Sequence, residues 1–243
     1  MFLRGFLILI LFLPFLVSAK PIVADLALRS IEIDTNFTGI DILLFGARDD
    51  AGDIVIVVRG PEKDYVVRKK ERVAGVWMNT KQEKFKDVYG FYAIASSKPL
   101  ERIRNDYLLS SIGIGVDNQN WRAEKEDRLK PSNEFSHALF NNKADRNLYP
   151  NEIGKITFWG ETLFRTNIRF PENIPGGTYI AEVYLISDGQ ITSVQSTPIY
   201  VNKVGFEAFM HDLAHYHSVI YGVISVIIAL VAGWLASIVF HRI

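Results

Sequence analysis

Residues Val219–Phe240 read VIYGVISVIIALVAGWLASIVF, an apolar run without a charged side chain. As an α-helix this run would be roughly 33 Å long, enough to cross a membrane hydrocarbon core about 30 Å thick. Thirteen of its residues are Val, Ile, Leu or Phe. Each of these favours the membrane centre by about 0.3–0.6 kcal/mol. The run therefore predicts a transmembrane helix that holds the rest of the chain at a membrane.

The N-terminus has the pattern of a secretory signal peptide over residues 1–19. A short positive region ends at Arg4, an apolar run extends from Phe6 to Val17, and small residues follow up to Ala19. The apolar run would span only about 18 Å as a helix, which is short for a membrane crossing. An uncleaved anchor is the alternative interpretation. In both cases the chain from Lys20 onward is predicted to be exported.

Composition limits the classes of function. The chain has 27 Lys and Arg against 27 Asp and Glu, so it lacks the basic excess of a nucleic-acid-binding protein. It contains no cysteine, which removes thiol nucleophiles, thiolate metal sites and disulfides. Exported domains without cysteine are common in the bacterial periplasm. We therefore predict a bacterial inner-membrane protein with its N-terminal domain in the periplasm, residues 241–243 in the cytoplasm, and no nucleic-acid partner.

Short β-rich runs separated by turn residues predict the fold of residues 20–203. We expect a mainly β domain, an antiparallel immunoglobulin-like β-sandwich. Tyr179 begins an alternating apolar run, as the tyrosine corner of such sandwiches does, and its hydroxyl is expected to bind upstream backbone. Ser187-Asp188-Gly189-Gln190 predicts a tight hairpin turn, because Asp-Gly tolerates the positive φ angles of a type I′ turn.

A helical insertion is predicted within the sandwich, around residues 99–147. Leu100, Ile103 and Tyr107 recur at spacings of three and four, which is a helical pattern. A second helical segment follows at residues 133–147, with an apolar face. That face comprises Phe135, Ala138 and Leu139.

A basic cluster comes just before an apolar run in the first half of the chain. Lys69, Lys70 and Arg72 precede Val73–Met78, which contains Trp77. Two interpretations fit this pattern. The cluster is either a solvated strand end or a docking patch for a partner or for anionic lipid headgroups.

Several short motifs are spread over the whole mature chain. They are Arg59-Gly60-Pro61, Val67 to Asn79, Phe91-Tyr92-Ala93, Leu163-Phe164-Arg165, Pro175-Gly176-Gly177-Thr178-Tyr179, Tyr221-Gly222 and Gly233-Trp234-Leu235-Ala236-Ser237. Together they resemble an alphaproteobacterial family of transmembrane proteins labelled Alph_Pro_TM. The resemblance implies an inner-membrane protein with a periplasmic domain. It implies no reaction and no site residues.

The linker between the sandwich and the membrane helix, residues 204–218, is rich in histidine. His211 and His215 would share one face of a helix, as paired metal ligands do, and Asp212 could add a carboxylate. The alternative is that these residues and His217 lie at the level of the lipid headgroups. Because no H-E-x-x-H pattern is present, we predict no metal, no cofactor and no catalytic residue.

Small residues recur at intervals of four along the apolar run: Ser225, Ala229, Gly233 and Ser237. Such a stripe lets a second helix approach closely, which favours a membrane-protein partner or a second copy of this chain. Ordinary lipid-facing helices also contain small residues.

These observations predict a non-enzymatic accessory or interaction subunit of a membrane transporter or assembly. The alternative is a membrane-anchored periplasmic enzyme or metal-binding protein that uses His211, His215 and a loop carboxylate. A deep polar pocket near those histidines would favour the alternative. An exposed apolar patch beside the membrane would favour the interaction subunit.

Overall fold

The computed structural model describes residues 22–103, 106–114, 118–119, 121–123, 133–205 and 213–240. The strands are β1 (Val23–Leu26), β2 (Ser30–Ile33), β3 (Ile40–Ala47), β4 (Asp53–Arg59), β5 (Glu62–Val73), β6 (Val76–Tyr89), β7 (Tyr92–Ser96), β8 (Arg122–Ala123), β9 (Gly154–Lys155), β10 (Thr157–Trp159), β11 (Leu163–Phe170), β12 (Gly177–Ser187) and β13 (Gln190–Lys203). The helices are α1 (Asp106–Ser111), α2 (Asn133–Asp145) and α3 (Ser218–Phe240), with a 3-10 turn at Leu100–Arg102. The predicted mainly β fold with one C-terminal apolar helix is confirmed. The predicted signal peptide and the tail at 241–243 lie outside the described residues.

Two sheets form the body of the β domain. One has the strand order β1-β3-β11-β10 and is antiparallel throughout. The other has the order β2-β13-β12-β4-β7-β9, in which only the outer pairs β2-β13 and β7-β9 are parallel. A third, three-stranded sheet contains β5, β6 and β8. We call the first two the four-stranded and the six-stranded sheet.

The main core lies between the four-stranded and the six-stranded sheet. In β11, every second residue from Phe164 to Phe170 is buried, and the residues between them are exposed. Because side chains alternate across a strand, one face of β11 is apolar throughout. The Phe170 ring contacts the Tyr179 ring of β12, with 5.8 Å between ring centroids. Phe91 stacks on Phe170 at 5.0 Å and joins this aromatic contact between the sheets.

The turn chemistry predicted at β12 is confirmed at both of its ends. The Tyr179 hydroxyl donates a hydrogen bond to the Pro175 carbonyl at 2.5 Å, so it fixes the strand start to upstream backbone. At the other end, Asp188 and Gly189 have φ angles of 51° and 74°. These are the two positive φ angles of a type I′ turn. The immunoglobulin-like assignment itself stays a prediction.

Strand β4 is buried on both faces. Val55 and Val57 alternate with the residues that face the four-stranded sheet, yet both are fully buried. Arg59 projects to the same outer side and donates a hydrogen bond to the carbonyl of Ile112, just after α1. The Tyr92 hydroxyl donates to the Gly113 carbonyl at 3.3 Å. The segment after β7 therefore covers the outer face of β4.

The covering segment is attached to the sheet by a partly buried ion pair. Arg59 binds the Glu182 carboxylate, and their side chains are 14 % and 25 % exposed. The Tyr184 hydroxyl donates to the same carboxylate at 2.9 Å. Burial lowers the pKa of Arg59, but the Tyr184 hydrogen bond and the Glu182 charge outweigh it and raise the pKa above its usual value. The Arg59 guanidinium therefore stays charged at neutral pH.

Strands β5 and β6 form a long hairpin that continues the β4–β7 pair. The ladder is unbroken at their junction, because the Gly60 N–H donates to the Phe91 carbonyl and the Gly90 N–H to the Pro61 carbonyl, both at 2.8 Å. We call this element, residues 62–89, the hairpin arm. The sequence indicated only part of it, the basic cluster at residues 69–72 and the apolar run Val73–Met78.

Helix α2 packs along the base of the hairpin arm. Lys143 is buried, and its ammonium lies 3.6 Å from the centroid of the Tyr65 ring. Leu139 is buried and Phe135 is half-buried, whereas Ala138 is exposed, so that part of the predicted apolar face is wrong. Lys143 belongs to the buried face of α2 in its place, because the Lys143 side chain packs against the Tyr65 ring.

The first predicted helix is shorter than its periodicity suggested. Leu100–Arg102 form a 3-10 turn, and the α-helix begins only at Asp106. Ile103 is nevertheless buried, which places it in the covering segment. Pro99 precedes the 3-10 turn without a side-chain cap.

Candidate functional site

The outer face of the four-stranded sheet carries a row of apolar side chains. The strand register places Val23 of β1 and Leu163 of β11 on either side of Ala47 in β3. Trp159 of β10 lies opposite Leu163 and completes the row. Val23, Leu163 and Trp159 are 60 %, 53 % and 63 % exposed. Single exposed apolar residues are ordinary, but a row across a whole sheet forms a contiguous apolar patch.

A second row of outward-facing residues adjoins the first. Phe45 is its large apolar member and lies between Asp25 on β1 and Arg165 on β11. The Arg165 guanidinium carbon lies 4.6 Å from the centroid of the Trp159 ring, a cation–π contact that holds the indole over the sheet. The two rows surround an open hollow of about 370 Å³. We call this surface the apolar platform. Its residues are Val23, Phe45, Ala47, Trp159, Leu163 and Arg165.

The other half of the same sheet face is mainly polar and charged, with Leu43 half-buried among these residues. Arg169 of β11 forms an ion pair with Asp41 of β3 at 3.1 Å, and both side chains are more than half exposed. Asn167 lies between this pair and the platform on the same strand. The apolar character is thus concentrated in one half of the face.

The platform lies at the end of the sandwich opposite to the exit toward α3. Val201, near the end of β13, pairs with Gly177 at the start of β12. The contact between Tyr179 and Phe170 places the Phe170 end of β11 at that same end of the sandwich. Leu163, in the platform, is at the other end of β11. The patch is therefore not beside the point where the chain leaves for the membrane helix.

A separate groove of about 940 Å³ lies between α2, β7 and β11. Its charged lining residues are Asp145, Arg146, Glu152, Arg169 and Glu172. No histidine is among its described lining residues. The groove is thus polar and spacious, but it does not bring together the histidine residues that the anchored-enzyme alternative would use.

The predicted histidine cluster is only partly described. His215 lies in the exposed helical turn at 213–216 and His217 is exposed just after it, whereas His211 and Asp212 lie outside the described residues. Within the described ranges, no three His, Asp or Glu side chains come together in a way that could hold a metal ion.

The described part of the chain has one helix long and apolar enough to cross a membrane, Ser218–Ile238. The four small residues of the predicted stripe all lie on the exposed surface of this helix. The Ser225 hydroxyl donates to the Tyr221 carbonyl at 2.8 Å, so this polar group is satisfied within the helix. Such an internal bond lets a serine remain in an apolar environment.

The family described as "Putative transmembrane protein (Alph_Pro_TM)" matches residues 21–242. The chain belongs to this family. No curated protein and no solved structure matches it. This member of a transmembrane protein family thus has a β domain and one candidate membrane span, and the resemblance found in its motifs is confirmed.

Sequence reasoning did not identify the apolar platform in this Alph_Pro_TM protein. Trp159 and Leu163 lie in short β-rich runs, and such runs indicate sandwich strands without showing which face stays exposed. One indication was present in β11, where Leu163 occupies the side of the strand that otherwise carries Arg165 and Asn167. An apolar residue on a polar side marks a surface patch, and pairing with Ala47 then enlarges it.

Proposed function

We propose that this protein is a non-enzymatic accessory subunit of an inner-membrane assembly. Helix α3 anchors it, the β domain lies in the periplasm, and the C-terminus lies in the cytoplasm. The apolar platform binds a partner protein. The observation that carries this proposal is the exposed apolar row from Val23 to Trp159 across all four strands of one sheet.

The composition of the platform favours a protein partner. Its centre is apolar and aromatic, with Phe45, Leu163 and Trp159, while Asp25 and Arg165 supply charge at the edge. Protein interfaces have this arrangement of an apolar, aromatic core and a polar rim, and Trp and Arg are frequent among the residues that dominate binding. The expected partner surface is apolar at its centre, with polar groups around it.

The strand order supports an immunoglobulin-like assignment. In such domains one sheet contains strands A, B, E and D, and the other contains C, F and G. Here β1, β3, β11 and β10 follow one another in the first sheet, and β13, β12 and β4 are neighbours in the second. The Tyr179 hydrogen bond to Pro175 adds the tyrosine corner. Immunoglobulin-like domains commonly serve as binding modules, and this analogy agrees with a partner-binding role.

The stripe on α3 supports a second contact, within the membrane. Ser225, Ala229, Gly233 and Ser237 lie one turn apart on one exposed side of the helix. Small residues permit close packing of helices in a bilayer. We assign this side to the membrane-spanning part of the same assembly.

Site-specific photocrosslinking in cells, with the full chain, tests the proposal. A photoreactive amino acid at Leu163 is expected to give one discrete crosslinked product, whereas the same amino acid at Asn167, on the same strand and face, gives none. In the membrane, Gly233→Ile is expected to reduce recovery of that product after mild-detergent extraction. Val231→Phe, about 200° around the helix from Gly233 and so on the side opposite the stripe, is the control. The proposal is wrong if Leu163 and Asn167 give the same pattern.

A further inference from the structure

The hairpin arm begins at the end of the sandwich from which the chain leaves for α3. A Cβ atom at Gly177 would lie 3.0 Å from the Pro61 ring, so the start of β12 packs on the residue just before the arm. Gly177 pairs with Val201, near the end of β13. Strands β4 and β13 each pair antiparallel with β12, so they run in the same direction toward this end. The arm and the membrane linker therefore leave the sandwich side by side.

The length of the arm is comparable with the reach of the linker. β5 has 12 residues, which corresponds to roughly 40 Å of strand. In the linker, residues 204–212 can extend at most about 32 Å, and the helical turn at 213–216 adds about 6 Å. The tip of the arm can therefore reach the surface of the membrane that α3 enters.

One face of the arm is basic. Arg68, Lys70 and Arg72 occupy alternate positions of β5, so they lie on the same side of the hairpin, and all three are exposed. The opposite side faces α2, where Lys69 binds Glu134 at 2.7 Å and Glu71 at 3.4 Å. The positive charge on that side is balanced by acidic partners, whereas the face with Arg68 carries no acidic residue between positions 66 and 72.

The tip of the arm is apolar and aromatic. Val73 and Val76 close the turn, and Trp77 lies opposite Arg72 in the register, on the basic face. Val76, Trp77 and Met78 are 62 %, 68 % and 52 % exposed. Trp is enriched where one end of a side chain meets headgroups and the other meets hydrocarbon. A tip with exposed Trp next to a basic face is suited to a membrane surface.

We propose that the hairpin arm docks on the anionic surface of the membrane that α3 enters. Arg68, Lys70 and Arg72 bind phospholipid headgroups, and Val76 and Trp77 insert at the interface between headgroups and acyl chains. The membrane is the favoured occupant because α3 holds it within reach, which raises its effective concentration at the tip. Its negative surface complements the three basic residues, and each contributes about a fivefold preference for an anionic surface.

Fluorescence of the full chain in lipid nanodiscs tests this docking. The chain has no native cysteine, so Val76→Cys gives a single site for an environment-sensitive label and leaves Trp77 in place. One copy per disc removes other proteins as occupants. We expect blue-shifted emission in discs that contain phosphatidylglycerol and aqueous emission in discs of phosphatidylcholine alone. A label at Thr162→Cys, at the opposite end of the sandwich, should stay aqueous in both.

Charge-removal variants test the role of the basic face. Arg68→Gln with Lys70→Gln should lower the ratio of docked to undocked arm by roughly 25-fold, at about fivefold for each residue. Lys98→Gln with Lys155→Gln removes the same charge near the other end of the sheet and should leave the ratio unchanged. The proposal is overturned if the label at position 76 reports the same environment with and without phosphatidylglycerol, whether aqueous or apolar. Equal losses in the two double variants also overturn it.

Discussion

The outer faces of the two sandwich sheets differ in how they are covered. On the six-stranded sheet, Val55 and Val57 of β4 are fully buried beneath the segment that follows β7. On the four-stranded sheet, the apolar platform has no covering segment among the described residues, and Leu163 and Trp159 are more than half exposed. Both faces carry apolar side chains at these positions. The protein therefore covers one face with its own chain and leaves the other open, which is the arrangement expected if a partner covers the second face.

The covering segment is attached to the six-stranded sheet by a partly buried charged group, and the four-stranded sheet has a different arrangement. The covering segment contacts β4 through the bond from Arg59 to the Ile112 carbonyl, and the ion pair with Glu182 fixes the guanidinium. The open face has no such buried ion pair among its described residues, since its pair of Asp41 and Arg169 is exposed. A partner on the platform would thus depend on apolar contact more than on charge.

The two faces should differ most in the free energy of unfolding that is lost when one apolar residue on each face is replaced by asparagine. Val57→Asn buries an amide beneath the covering segment and should lower the free energy of unfolding by about 3 kcal/mol or more. Leu163→Asn places the same group on the exposed face and should change it by about 0.5 kcal/mol or less. Urea unfolding of the full chain in detergent, followed by near-ultraviolet circular dichroism, measures both. Equal losses would show that the platform is covered in the isolated protein.

A smaller effect is expected when the charged pair of each face is broken. Glu182→Gln leaves Arg59 partly buried without its carboxylate and should cost about 2 kcal/mol. Asp41→Asn breaks the exposed pair with Arg169 and should cost about 0.5 kcal/mol or less, because exposed pairs contribute little. The same unfolding assay compares them. A cost for Asp41→Asn as large as that for Glu182→Gln would contradict the assignment of Arg59 as the attachment point.

Local chemistry made several features predictable from the sequence. Helix α3 follows from its uncharged apolar run, the β12–β13 turn from Asp188-Gly189, and the Tyr179 hydroxyl bond from the motif that precedes β12. Each depends on residues close together in the chain. Propensity and turn geometry are sufficient at such positions.

The hairpin arm and the platform could not be predicted in the same way. Residues 79–89 of β6 are largely polar and show little apolar alternation, since most of the arm buries little surface. Predicting the platform requires knowing which face of the four-stranded sheet is covered by the rest of the chain. Alternation in β11 shows that Leu163 and Phe164 lie on opposite faces, but only tertiary packing decides that Leu163 remains exposed.

The smallest predicted effect is a change in the free energy of unfolding with pH, caused by Lys143 in helix α2. Burial of Lys143, with Arg146 and Lys63 nearby, lowers its pKa to about 8 from 10.5. Between pH 8 and 10, the unfolded chain binds this proton and the folded chain increasingly does not, so stability should rise with pH. Allowing for partial solvation, we expect a gain of about 1 kcal/mol.

Lys143→Met separates this effect from other titrations, because it keeps an apolar side chain in the same place without a titrating group. Burial raises the pKa of Tyr149 and Tyr179 above the usual 10.0, so these tyrosines begin to remove stability as the pH approaches 10, where the unfolded tyrosines ionise. The measurement is therefore confined to pH 8–9, in the same urea assay. Stability should rise with pH in the wild-type chain and stay nearly flat in the variant. A parallel rise in both would mean that Lys143 keeps its proton over this pH range, held against the Tyr65 ring.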